Sequence, residues 1–64
     1  MRPLMEILED ERSLMLKLDT IHQNMARYPY EDVYEVLSAK RVITKRDLDN
    51  IQNEIREYIE ELFK

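Results

Sequence analysis

The sequence predicts an all-α chain of three helices, long, short and long, with coiled-coil-like seams and assembly into a dimeric helical bundle. Three observations carry that expectation. Apolar residues recur at alternating spacings of three and four along two long stretches. Glycine is absent and proline occurs only twice. Charged residues make up 38 % beside 44 % hydrophobic ones, a mixture that suits helices with one buried stripe. The 64 residues allow one small domain, 1–64. Without glycine, phosphate-cradling loops and the Gly-containing turns of most β-hairpins drop out together.

The first helix is expected over 3–28. Leu4, Ile7, Leu14, Leu18, Ile21, Met25 and Tyr28 follow a heptad rhythm, Leu8 and Met15 widen the stripe, and Glu11 takes a place where an apolar residue is due. Pro3 fits a first helical turn, and Glu6, Glu9 and Asp10 favour the positive end of the helix dipole. Tyr28 precedes Pro29, which disfavours the α conformation, so the helix should stop within about two residues of Tyr28. At ~1.5 Å per residue such a helix approaches 40 Å, longer than a compact globule of this size is wide.

A short second helix is expected over 31–41, with Val33, Tyr34, Val36 and Leu37 on one face, acids first and bases last. Thr44-Lys45-Arg46-Asp47 reads as a variant capping box that starts a third helix over 45–63, with Leu48, Ile51, Ile55, Tyr58 and Leu62 as its seam. The stretch Leu37–Leu48 resembles the helix, small turn, helix element of many short bacterial and phage helical proteins, over about a fifth of the chain, with Arg41 where such elements carry glycine. That resemblance implies a local shape and no activity.

A core of this size supplies at most about 3–5 kcal/mol, and without cysteine or a metal the usual supplement is association. A short middle helix would cover less than half of the first stripe, so Leu4, Ile7, Leu8, Glu11, Leu14, Met15 and Leu18 are expected to form a homodimer interface. Charge order suggests a two-fold antiparallel dimer in which Glu6, Glu9, Asp10 and Glu11 of one chain approach Lys40, Arg41, Lys45 and Arg46 of the other. The alternative role for Lys40, Arg41, Lys45 and Arg46 is contact with an anion or nucleic acid at the N-terminus of the third helix. Net charge −4 weighs against broad phosphate binding, and Asp47, Asp49 and Glu54 would face an anionic groove. Tyr28, Tyr30 and Tyr34 either close the core or anchor a partner.

Catalytic groups are not assembled by any motif. His22 is the one histidine, Asp19 and His22 have the spacing of a carboxylate-bundle ligand pair but fall on an outward face, and Ser13 and Ser38 lie on different helices. The expectation is therefore a non-enzymatic protein–protein interaction module with no cofactor: an adaptor, inhibitor, chaperone or assembly regulator of viral, phage or bacterial accessory type. Zero cysteine and the lack of an apolar run of ~20 residues point to the cytoplasm, a host's if the chain is viral, with no membrane role. Met1-Arg2-Pro3 leads into a charged amphipathic segment, so no cleaved leader is expected.

Overall fold

Two helices, not three, make up the described residues. The computed structural model describes residues 2–63, so Met1 and Lys64 of the expected 1–64 domain lie outside the described residues. Helix α1 spans Leu4–Arg27 and helix α2 spans Glu31–Leu62, joined by a three-residue bend at Tyr28-Pro29-Tyr30. The two pack side by side as an antiparallel hairpin 50 × 15 × 14 Å. No helix of the described residues is long and apolar enough to cross a membrane.

The local causes of α1 are those legible in its sequence. Pro3 stands before the first helical residue, and its carbonyl accepts from the N–H groups of Glu6 and Ile7. Glu6 sits in the first turn and Arg27 in the last, each favourable to the dipole. The helix ends one residue before Tyr28, whose N–H donates to the Asn24 carbonyl at 2.9 Å. Pro29 then forces the chain out of the helix.

Helix α2 overturns the expected break at 42–44. Val42, Ile43 and Thr44 are β-branched, which costs tenths of a kcal/mol per residue in a helix, whereas a stop needs glycine, proline or a captured cap. None is present between Glu31 and Leu62. Thr44 is no cap: it lies inside α2, 1 % exposed, and its Oγ1 has no hydrogen-bond partner among the described residues. The seam also stays in phase through this region. Leu37, Arg41, Thr44, Leu48, Ile51, Ile55 and Tyr58 follow one heptad register, and each is buried or half-buried. A single 32-residue rod therefore lies along the whole of α1.

The interior is thin. Ile7, Ile21 and Ile51 are the buried apolar side chains among the described residues, with Thr44 beside them. The Cα radius of gyration is 14.8 Å, where a compact domain of this length would have about 11 Å. The accessible surface is 5311 Å², where a folded monomer of this mass averages about 4,400 Å². Two antiparallel rods share one line of contact, which leaves much of the surface of each helix exposed.

Candidate interaction face

The seam divides the hairpin into two flanks. At 100° per residue, side chains one step to either side of Ile7, Ile21, Thr44 and Ile51 stand at the edges of the helix–helix groove. One flank is polar at the open end. There Asp10, Ser13, Asp47 and Asn50 line a shallow groove with Leu14 and Ile51. Arg2 closes this side. Its Nη1 donates to Asp10 Oδ2 at 2.6 Å and to Glu6 Oε1 at 3.3 Å, and its Nη2 donates to Glu54 Oε2 at 2.9 Å. The hydrogen bonds to Asp10 and Glu54, followed by their negative charges, raise the guanidinium pKa above its ordinary value, so Arg2 stays charged. These bonds tie the start of α1 to α2.

The other flank is apolar at the open end. Leu4, Leu8 and Met15 on α1 face the same way as Leu48, Ile55 and Ile59 on α2, and a groove of about 330 Å³ between them is lined by Glu11, Gln52, Ile55, Arg56, Ile59 and Glu60. Leu8 is 38 % exposed, Met15 50 % and Ile59 48 %, large values for apolar side chains that stand beside a seam. No ionic clasp comparable to Arg2 crosses this side: Glu11, Asp19, Arg41, Lys45 and Arg56 make no ion pair with other described residues.

The expected dimer residues are thus sorted by the fold. Leu4, Ile7, Leu14 and Leu18 meet α2 of their own chain; Ile7 is fully buried and the others half-buried. A long α2 covers the stripe that a short middle helix would have left open, so these four are not an unmatched surface. Leu8, Met15 and half-buried Glu11 remain on the apolar flank. Sequence reasoning missed Ile55, Ile59 and Arg56 as their neighbours because a groove edge is a property of two helices at once. It also missed Arg2, which no periodicity marks.

The basic group does not assemble. In a continuous helix Lys40, Arg41, Lys45 and Arg46 are spread round the circumference, with Arg41 and Lys45 on the apolar flank, Lys40 on the other and Arg46 on the back. No helix begins at Lys45, so the backbone N–H groups that would have received an anion are engaged inside α2. The acidic group is divided as well, with Asp10 and Glu6 held by Arg2. Tyr28, Tyr30 and Tyr34 are exposed at the bend, so they do not close the core, and Arg27 lies over the Tyr28 ring at 5.6 Å. His22 is exposed, and the described residues hold no group of three potential metal-ligating acids or histidines. Comparison with protein-family models, curated proteins and solved structures returns no match to this chain.

Proposed function

We propose that this chain is a non-enzymatic protein–protein interaction module that works as a homodimeric helical bundle. The apolar flank carries this reading. Leu8, Met15, Ile55 and Ile59 gather on one side of the hairpin, among Glu11, Gln52, Arg56 and Glu60, while the opposite side is polar at the open end and clasped by Arg2. Isolated exposed apolar residues need no explanation, but apolar side chains of both helices gathered on one flank do. A second hairpin laid on this flank would complete a four-helix layer with both stripes inside, the usual way in which short helices reach a full core. The surplus surface, about 900 Å² per chain against an average folded monomer, is close to the ~800 Å² that each partner contributes to a stable interface.

In such a bundle the bend tyrosines remain outside, and they supply the aromatic contacts an adaptor or assembly regulator needs for a further protein. Sedimentation equilibrium at micromolar concentration tests the dimer. The expected mass is twice 7.9 kDa, and the double variant Leu8→Glu, Met15→Glu should fall to a single chain mass. A fully helical, cooperatively folding wild-type monomer overturns the reading.

A further inference from the structure

The charges on the apolar flank determine which way round two hairpins meet, an inference that rests on the dimer reading above. On α1 this flank carries Glu11 and Asp19, with Arg12 one heptad before Asp19; on α2 it carries Arg41, Lys45 and Arg56, with Asp49 one heptad before Arg56 and Glu60 in the same groove. Acids outnumber bases on the α1 edge and bases outnumber acids on the α2 edge. Two copies placed face to face have two ways to satisfy two-fold symmetry. With the axis across the hairpin, α1 lies over α1 and α2 over α2, which sets like net charge over like. With the axis along the hairpin, α1 of each copy lies over α2 of the other and both bends sit at the same end.

The second arrangement matches charge and apolar content height by height. Heights across the seam are read from the grooves, one of which Glu11 and Gln52 line together and another Ile7 and Glu54. On that scale Asp19 stands level with the interval between Arg41 and Lys45, and Glu11 is level with Gln52, one turn from Arg56. Met15 is level with Leu48, Leu8 with Ile55 and Leu4 with Ile59, so the apolar half of one copy covers the apolar half of the other. We propose that the partner of this flank is a second copy bound with α1 over α2, bends together, Asp19 paired with Lys45 and Arg41 of the other copy and Met15 packed on its Leu48. This replaces the head-to-tail dimer that charge order along the chain suggests, because Asp10 and Glu6 are already held by Arg2 and Lys45 does not begin a helix.

The chain has no cysteine, so introduced thiols report contacts without background. Met15→Cys and Leu48→Cys are prepared as separate proteins, then oxidised singly and as a mixture. The expected result is a band at twice the chain mass in the mixture and none of comparable intensity from either protein alone, since a disulfide needs Cα atoms within about 7 Å. Charge reversal gives a second reading that leaves both side chains at the surface. Asp19→Lys and Lys45→Asp should each raise the dimer dissociation constant about two- to fivefold, and the two together should restore it. With α1 over α1 the signs invert, because each single reversal would relieve a like-charge contact. A dimeric protein that cross-links through either cysteine alone, fails to cross-link in the mixture, or tightens on single reversal overturns this arrangement and leaves the dimer reading standing. A monomeric wild type in sedimentation overturns both.

Discussion

The two flanks of the hairpin share one seam and one heptad register, yet they end in opposite states. On one, Asp10, Ser13, Asp47 and Asn50 meet water, and Arg2 reaches across to Glu54. On the other, Leu8, Met15 and Ile59 stand exposed beside the groove, with half-buried Ile55 between the seam and water. The seam accounts for why α1 and α2 pair, but the residues one step to either side decide what the pair can do next. In the proposed dimer, the flank that is polar and ionically closed stays outside. The flank that exposes apolar side chains edged with charge receives the second copy.

The difference can be broken most severely at the backbone. Both flanks exist because α2 is one rod, so Ile43→Pro, at an exposed side chain in the middle of α2, should cost ~3 kcal/mol or more. That is comparable with the whole stability of so small a core, so circular dichroism should show loss of most helix at room temperature. Retention of full helicity with a normal melting curve would mean a natural break at this point. The neighbouring residues Ile7 and Leu8 separate seam from flank. Ile7→Ala, at a 1 % exposed site, should cost roughly 2–5 kcal/mol at every protein concentration. Leu8→Ala should cost less, and in the proposed dimer its loss of melting temperature should be small at low protein concentration and grow as concentration rises, because there the flank stabilises through association.

Thr44 sharpens the comparison further, since it lies on the seam where a polar residue belongs to neither flank. Thr20 donates its hydroxyl to the Leu16 carbonyl at 3.0 Å, but the buried Thr44 Oγ1 has no partner, and a buried unsatisfied hydroxyl costs about 1–3 kcal/mol. Thr44→Val should therefore raise the melting temperature by about 4–8 °C, a gain of ~1 kcal/mol in a chain of this size. The sign is the test. Were Thr44 a helix cap, the same change would lower stability by about 1 kcal/mol. The smallest effect is expected at the polar flank: Arg2→Ala should lower the melting temperature by a few degrees at low salt, with the difference fading at high salt as exposed pairs are screened. The mass of the proposed dimer should not change.

Much of this was legible in the chain itself. The start of α1 at Pro3, its end before Pro29, and the stripe through Ile7, Leu14 and Ile21 follow from local chemistry that no tertiary contact has to impose. The continuity of α2 was legible too, in the phase of the pattern: stepping back one heptad from Leu48 and Ile51 lands on Arg41 and Thr44, and the seam goes on through both. The capping-box reading weighed Thr44 by residue type, and a threonine on the stripe reads as a break until α1 is known to lie against it. Tertiary structure alone decided three things. It buried Thr44, because α1 runs level with that turn of α2. It scattered Lys40, Arg41, Lys45 and Arg46 round a helix, because no turn gathers them. It also made a groove of Glu11, Gln52, Ile55 and Ile59, residues from two helices far apart in the chain. Periodicity specifies which face of a helix is apolar, and the depth and company of that face are set only when a second helix is laid beside it.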